Sequence, residues 1–111
     1  MTPYELNDRY TALFNAGDLD GLTALYEPGA AFSGAHGEEA IRARLGELLA
    51  RTPVFETEVR RITEAGDLAL LVTGWRFTAG GETGTGTSVE VARRQGDGSW
   101  RYVIDEPRPM G

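Results

Sequence analysis

Four side chains of the sequence have the chemistry to hold or transfer a proton: Tyr10, His36, Glu90 and Asp105. Tyr10 lies on an otherwise apolar helical stripe, and Glu90 alternates with valines in a segment of strand periodicity. Asp105 ends the last strand-like segment, and His36 is the only histidine. Phenol, carboxyl and imidazole groups are those that proteins use for general acid–base catalysis. The four residues therefore indicate proton transfer as the candidate chemistry.

Each of these side chains also has an explanation that needs no catalysis. A tyrosine on an apolar stripe, such as Tyr10, is typical of core packing, and Glu90, which shares a face with Ser88 and Ala92, is typical of the solvent side of a sheet. Only burial would raise the pKa of Glu90 enough to make it a donor. His36 is typical of a solvated loop side chain. A single histidine with no companion at ligand spacing predicts no metal site, and we expect no cofactor.

The composition argues against several classes of partner. The 111 residues carry 17 acidic and 11 basic side chains, a net charge of -6, and no cysteine. Such a chain offers no basic surface for nucleic acid or an anionic membrane, and it cannot form disulfides or thiolate metal sites. No apolar run approaches the roughly 18 residues of a membrane span. We expect a soluble cytoplasmic protein that forms one domain over residues 1–111.

Two short helices that meet at a sharp corner are predicted around residues 11–26. Gly17 can take the left-handed conformation that ends a helix, and Asp18 directly after it can cap the next one. The second helix is predicted to bury Leu19, Leu22 and Tyr26. The buried stripe of the first helix follows the spacing i, i+4, i+7, i+8 and consists of Leu6, Tyr10, Leu13 and Phe14.

The residues after this corner predict a sheet. A turn at Pro28-Gly29 is predicted to stop the second helix, with a short strand at 30–33 and a loop at 34–37. A third helix starts at Glu38, and its apolar stripe consists of Ile41, Leu45, Leu48 and Leu49. The apolar period then changes from about 3.6 to 2, which predicts strands at 54–64, 67–78, 85–95 and 100–106 joined by tight turns. This order of elements predicts an α+β fold.

Three short segments carry a resemblance to known proteins: Arg-Tyr at 9–10, Asn-Ala-Gly-Asp-Leu-Asp-Gly at 15–21 and a shorter patch at 58–60. In these segments and in the order of its elements, the chain resembles the nuclear-transport-factor-2-like superfamily, and within it the SnoaL-like proteins, the ketosteroid isomerases and the related polyketide cyclases. The resemblance implies a cone-shaped, curved and mostly antiparallel sheet wrapped around three N-terminal helices. It also implies a ligand pocket at the open end of the cone.

The resemblance further implies roles for single side chains. Tyr10 occupies the position of the tyrosine that donates to the developing enolate oxygen in the isomerases, and Glu90 that of a protonated acid that is the second donor. The isomerases take their general base from an aspartate after the second helix, where this chain has Ser33 and no acid. Some related cyclases use a late-strand aspartate, which here is Asp105. His36 is the other candidate for proton transfer.

Three functions stay open from the sequence. The first is an isomerase or cyclase that acts by general acid–base transfer on an apolar carbonyl-type ligand. The second is a non-catalytic binding protein for a small apolar ligand, and the third is a dimeric interaction module with an inert pocket. The residues predicted to contact a ligand are Phe14, Phe32, Leu71, Trp75 and Ser88.

The last strand predicts a homodimer. If Asp105 faces the concave side of the sheet, strict alternation places Trp100, Tyr102 and Ile104 on the convex side. Together they would form an apolar stripe too large to leave in water, so we expect a second copy to cover it. A β-bulge in this strand would reverse the faces.

Overall fold

The computed structural model describes residues 1–109 and shows an α+β fold, in which helices pack on the concave side of a curved, open, six-stranded sheet. The strands lie in the order β2-β1-β6-β5-β4-β3, and all neighbours are antiparallel except β1 and β6. The predicted fold class is confirmed. The elements in chain order are α1 (Pro3–Ala16), α2 (Leu19–Thr23), β1 (Tyr26–Phe32), β2 (Ala35–His36), α3 (Glu38–Leu49), β3 (Val54–Ala65), β4 (Leu68–Ala79), β5 (Glu82–Arg94) and β6 (Trp100–Glu106).

The helical corner forms where the sequence predicts it. The Thr2 hydroxyl accepts a hydrogen bond from the Glu5 amide at 3.2 Å, and Gly17 closes α1 at a φ of 70°. Asp18 Oδ1 accepts from the Gly21 amide at 2.9 Å and so begins α2. These contacts satisfy backbone groups that helix ends leave unpaired. The corner is therefore determined by local sequence.

The second helix is shorter than predicted, and the assignment of Tyr26 to it was wrong. α2 ends at Thr23, and Tyr26 is the first residue of β1. Pro28 and Gly29 do not stop a helix but lie exposed within β1, where its register against β6 shifts. Proline lacks an amide proton and glycine lacks a side chain to pack, so both tolerate such an irregularity. The predicted loop at 34–37 also contains the two-residue strand β2.

Strands β3, β4 and β5 form a meander of long hairpins, and β5 starts three residues earlier than predicted. Gly80 and Gly81 connect β4 to β5 with φ values of 60° and 81°, which glycine adopts at little cost. α1 is tied to β3 by Asn15, whose Oδ1 accepts from the Phe55 amide at 2.7 Å and whose Nδ2 donates to the Phe55 carbonyl at 2.8 Å. This contact fixes α1 against the concave side.

A β-bulge in β6 changes which side chains face the helices. Ile104 pairs with Val91 and Tyr102 pairs with Ala92, so Val103 is an extra residue without a partner on β5. Tyr102 and Asp105 therefore face the same concave side, and both are buried. The prediction that Trp100 and Tyr102 lie on the convex side was wrong. Of that stripe only Ile104 is exposed, with 44% of its surface accessible.

The core lies between the concave side of the sheet and the helices. Fully burying one leucine or isoleucine side chain stabilises the folded state by roughly 1.5–3 kcal/mol relative to leaving it in water. Leu48 and Leu49, which belong to the apolar stripe predicted for the third helix, are only half-buried and pack at the edge of the core. The aliphatic side chains with no accessible surface are Leu6, Leu22, Ile41, Leu45 and Leu71.

Candidate functional site

A cavity of about 410 Å³ opens on the concave side of the sheet, between α1, α3 and the strands. The large apolar side chains of its walls are mostly aromatic and include Phe14, Phe32, Phe55, Trp75 and Phe77. We call four of the buried lining residues, Tyr10, Glu90, Tyr102 and Asp105, the buried end of the cavity. We call the exposed charged lining residues its mouth, namely Arg44, Arg51, Glu82 and Arg108. A volume of this size suits a small molecule, and aromatic walls suit an apolar one.

The structure brings most of the candidate residues together at this cavity. Among the proton-transfer candidates, Tyr10, Glu90 and Asp105 line it, whereas His36 is exposed on β2 and is not among the lining residues described within 1–109. Leu71 is fully buried in the core and does not line the cavity either. The other residues predicted to contact a ligand do line it: Phe14, Phe32, Trp75 and Ser88.

A short chain of hydroxyl groups joins Tyr10 to Asp105 at the buried end. The Tyr26 hydroxyl oxygen lies 3.0 Å from that of Tyr10 and 2.6 Å from Asp105 Oδ2. Tyr10 comes from α1, Tyr26 from β1 and Asp105 from β6, so three elements must meet to form the chain. The Tyr102 ring supports it edge-on, with its centroid 5.5 Å from that of Tyr10.

Glu90 lies beside this chain and is incompletely satisfied. It is the direct cross-strand neighbour of Asp105, since the two are paired between β5 and β6. The Thr73 hydroxyl donates to Glu90 Oε1 at 2.7 Å, but Glu90 Oε2 is buried with no hydrogen-bond partner among the residues described. A buried polar atom left unpaired costs about 1–3 kcal/mol, so it calls for a functional explanation. A hydrogen-bonding group of a ligand would supply the partner.

The two acids compete for protons. Burial raises the pKa of the Asp105 carboxyl to about 8, the negative charge of Glu90 adds to the rise, and the hydrogen bond from Tyr26 opposes it. Burial also raises the pKa of Glu90, against the hydroxyl groups of Ser88 and Thr73. The two negative charges repel each other, so the pair loses its protons in two steps, and the pKa of about 8 assigns the second step to Asp105. Near neutral pH, Asp105 therefore carries a proton.

The tyrosines of the site stay protonated. Burial raises the pKa of Tyr10, Tyr26 and Tyr102 well above the usual range, and the charges of the nearby acids add to the rise. Their hydroxyl groups can therefore donate hydrogen bonds at any physiological pH, but they cannot act as bases.

The proton on Asp105 controls the direction of the hydroxyl chain. Tyr26 has one hydroxyl proton, so it can donate to Asp105 or to Tyr10 but not to both. When Asp105 is ionised, Tyr26 donates to Asp105 and Tyr10 donates to Tyr26. When Asp105 is protonated, it can donate to Tyr26, Tyr26 can donate to Tyr10, and the Tyr10 proton is free for the cavity. A protonated Asp105 thus makes Tyr10 available as a donor.

Sequence reasoning missed three members of the site. Tyr26 was assigned to a helix, and Tyr102 to the convex side of the sheet. Thr73 was overlooked as the partner of Glu90, although strand alternation places it on the same face as Leu71 and Trp75. Within residues 1–109, no three His, Cys, Asp or Glu side chains are grouped closely enough to hold a metal ion. In the same range, no helix is both long and apolar enough to cross a membrane.

The fold and the cavity define a protein of the nuclear-transport-factor-2-like superfamily. Within it, the family described as the SnoaL-like domain matches residues 7–103, so the chain belongs to that family. A comparison with curated proteins gave no match.

Solved structures share the fold at low sequence identity. A Thiobacillus denitrificans protein, provisionally assigned as a calcium/calmodulin-dependent protein kinase type II association domain, has a TM-score of 0.81 and 20% identity over 99% of this chain and 96% of its own. A Shewanella oneidensis nuclear-transport-factor-2-like protein of unknown function has a TM-score of 0.80 and 19% identity over 92% of both chains. An Erwinia carotovora ketosteroid isomerase-like protein has a TM-score of 0.74 and 16% identity over 92% of this chain and 88% of its own. These identities show likeness of fold alone.

Proposed function

We propose that the protein is an isomerase or cyclase that moves a proton on an apolar carbonyl compound by general acid–base catalysis. The observation that carries the proposal is the acid pair at the buried end of an aromatic cavity. Asp105 holds a proton near neutral pH, and Glu90 presents a buried oxygen without a partner. A carbonyl oxygen beside Tyr10 would accept the hydrogen bond that a protonated Asp105 makes available through Tyr26, while a C–H group beside Glu90 would lose its proton.

The proposed reaction needs no group beyond these side chains. The Glu90 carboxylate takes a proton from the carbon next to the carbonyl, and the electron pair of that C–H bond forms an enolate. Tyr10 donates a hydrogen bond to the enolate oxygen, and the proton on Asp105, donated to Tyr26, leaves the Tyr10 proton free to do so. In an isomerase, Glu90 returns the proton to a different carbon. In a cyclase, the enolate carbon attacks a second carbonyl of the same molecule, and the proton on Glu90 neutralises the new alkoxide.

This assignment exchanges the roles that the family resemblance implies. The resemblance to the isomerases implies that Glu90 is a neutral hydrogen-bond donor. In those enzymes the base is an aspartate, at the position where this chain has Ser33. Asp105 retains the proton of the pair, so it is the better donor, and Glu90 is the better base. Glu90 thus takes the place of the general base that is missing at Ser33.

Hydrogen exchange on a simple ketone tests the proposal without knowledge of the natural substrate. 2-Tetralone is an apolar ketone with exchangeable C–H groups beside its carbonyl. Incubated with the protein in D₂O, it should gain deuterium at those carbons faster than in buffer alone, as followed by proton NMR. Glu90→Gln should lose this acceleration, whereas Glu82→Gln, which removes an exposed carboxyl at the mouth, should keep it. Equal exchange with wild type and Glu90→Gln would overturn the proposal.

A non-catalytic binding protein is the alternative, and the absence of an acid at Ser33 is the observation that favours it. Such a protein would bind 2-tetralone in the same cavity with no acceleration of exchange. A fluorescence or calorimetric binding measurement beside the exchange assay separates the two functions.

We also propose a homodimer, formed through a convex surface that differs from the predicted stripe. Leu70, Val91 and Ile104 lie in one row across β4, β5 and β6. Leu70 is 39% and Ile104 44% exposed, and a second copy of the row would remove this apolar surface from water.

Light scattering tests the homodimer. The wild type should have twice the 12.0 kDa mass of the chain, and Ile104→Lys should dissociate it. Val54→Lys, which changes an exposed apolar residue at the start of β3, should leave the dimer intact. A wild-type mass near 12.0 kDa at tens of micromolar protein would contradict the proposal.

A further inference from the structure

Three arginines lie at the mouth of the cavity, whereas the acid pair lies at its buried end. Arg44, Arg51 and Arg108 all line the cavity, and all three are exposed. Arg44 and Leu48 lie one turn apart on α3, and Arg51 follows the end of that helix by two residues. Arg108 follows β6 and reaches the same mouth from the sheet. Two separate parts of the chain therefore supply the positive charge.

The guanidinium groups of Arg44 and Arg51 are held in place by neutral partners. Arg51 Cζ lies 5.2 Å from the centre of the Phe77 ring, within the range of a cation–π contact. Arg44 donates to the Ser33 carbonyl at 3.0 Å. Neither contact neutralises the charge of the arginine, so each guanidinium keeps donors for another group.

Arg108 is held in a similar way by Trp75. Its Cζ lies 5.0 Å from the centre of the Trp75 ring, and Trp75 Nε1 donates to the carbonyl of the preceding residue, Pro107, at 2.9 Å. The ring passes over Gly86, where an added Cβ would come within 2.5 Å of it. Gly86 therefore makes room for the ring that positions Arg108.

The mouth is positive in a protein that is negative overall. Four other arginines form ion pairs with acids, namely Arg42, Arg60, Arg93 and Arg94. Within residues 1–109, no carboxylate lies within 4.0 Å of the three mouth arginines. Glu82 is the one acid at the mouth, which leaves three positive charges against one in a chain of net charge -6. Such a local reversal of sign attracts anions.

We propose that the mouth binds an anionic oxyacid group of the ligand, such as a carboxylate, while the carbonyl end of the same ligand reaches the acid pair. The substrate would then be an amphipathic oxo acid with an apolar middle section. The placement of the carbonyl group at the acid pair rests on the proposed function. The placement of the anionic group at the mouth depends on the arginines alone. Guanidinium groups match the geometry of an oxyacid with parallel hydrogen bonds, which a neutral ligand cannot use.

Two fluorescent probes that differ in one sulfonate group test whether the mouth binds an anionic group. The probes are 1-anilinonaphthalene-8-sulfonate and the neutral N-phenyl-1-naphthylamine, and displacement of the neutral probe by the anionic one shows that they share the cavity. We expect the anionic probe to bind about fivefold or more tightly than the neutral one. Sodium chloride at about 0.5 M should remove most of that preference, because salt screens exposed charges.

Variants of the mouth identify the residues responsible. Arg44→Gln, Arg51→Gln and Arg108→Gln should each weaken the anionic probe about two- to fivefold and leave the neutral probe unchanged. Arg76→Gln is the matched control, since Arg76 is an exposed arginine that does not line the cavity. Equal affinity for the two probes, or an equal effect of Arg76→Gln, would overturn the inference.

Competition extends the test from sulfonate to carboxylate. 2-Naphthaleneacetic acid should displace the neutral probe at lower concentration than 2-naphthaleneethanol, which has no charge. Equal displacement by the two would count against an oxyacid ligand. The probes do not react, so Glu90→Gln should keep the preference for anions even where it stops hydrogen exchange. Failure of this inference is therefore distinguishable from failure of the proposed acid–base function.

Discussion

At the buried end of the cavity, acids and hydroxyl groups meet with little exposure to water, whereas at its mouth three guanidinium groups are exposed to solvent. Burial makes the protonation of Glu90 and Asp105 depend on each neighbouring atom, because the interior screens charge poorly. Water weakens each contact of Arg44 or Arg108, so single contacts there contribute little. The buried end is therefore suited to the chemical reaction, and the mouth is suited to the selection of the ligand. One substitution at the buried end should change the reaction rate by orders of magnitude, while one at the mouth should change the preference between ligands by only a small factor.

The largest effect should come from the acid pair itself. Glu90→Gln removes the proposed base and should slow hydrogen exchange on 2-tetralone by about 10²–10⁴-fold, the usual contribution of a general base. Asp105→Asn should cost less, about tenfold to 10²-fold, because an amide still donates a hydrogen bond. NMR-monitored exchange measures both. If Asp105→Asn were the more damaging change, the two acids would have the opposite roles.

Loss of one hydroxyl donor should have the next largest effect. Tyr10→Phe removes the proposed donor to the enolate oxygen but keeps the ring, so exchange should fall by roughly 10²-fold while thermal stability changes little. Tyr4→Phe is the control, because Tyr4 is an exposed tyrosine on the same helix. If the Tyr10→Phe and Tyr4→Phe proteins had the same exchange rate, the Tyr10 hydroxyl would have no role in the reaction and Tyr10 would serve only in packing.

The helical corner was more accessible to sequence reasoning than the buried end. Gly17 and Asp18 determine the corner through their own backbone and side-chain chemistry, so a short segment suffices to predict it. The burial of Glu90 could not be predicted in this way, since strand alternation defines two faces without saying which is covered. The helices that cover it come from distant parts of the chain.

The position of Asp105 relative to Tyr102 shows a second limit. The two are three residues apart, and only the extra residue Val103 places them on one face. A one-residue bulge leaves no mark in the pattern of apolar residues, because the pattern on each side of it is still regular. Tyr26 was misplaced for a related reason, since its apolar neighbours fit a continued helix as well as a strand. Tertiary pairing with β6 decided between them.

Stability should depend on pH in a direction set by the buried end. In the folded chain Asp105 keeps its proton up to a pH of about 8, whereas in the unfolded chain it loses the proton near pH of about 4. Between these values the folded state binds more protons, so stability falls as pH rises, by about 1.4 kcal/mol per pH unit for each such proton. The raised pKa of Glu90 acts in the same direction.

Chemical denaturation over this pH range measures the effect. The contribution of Asp105 is fully present below a pH of about 4 and is lost as the pH passes about 8. Asp105→Asn should flatten the dependence, and Asp8→Asn, at an exposed position on α1, should not. Parallel curves for wild type and Asp105→Asn would mean that Asp105 is ionised in the folded protein.

The most direct test of the shared proton is a carbon-13 NMR titration of the carboxyl groups in protein labelled at aspartate and glutamate. The resonance that disappears in Asp105→Asn should titrate near pH of about 8 in the wild type, after that of Glu90. Glu90→Gln should lower the pKa of Asp105, because it removes the negative charge across the strand pair. Titration of both carboxyls at the ordinary values of Asp and Glu would contradict a shared proton at the buried end, and with it the proposed acid–base function.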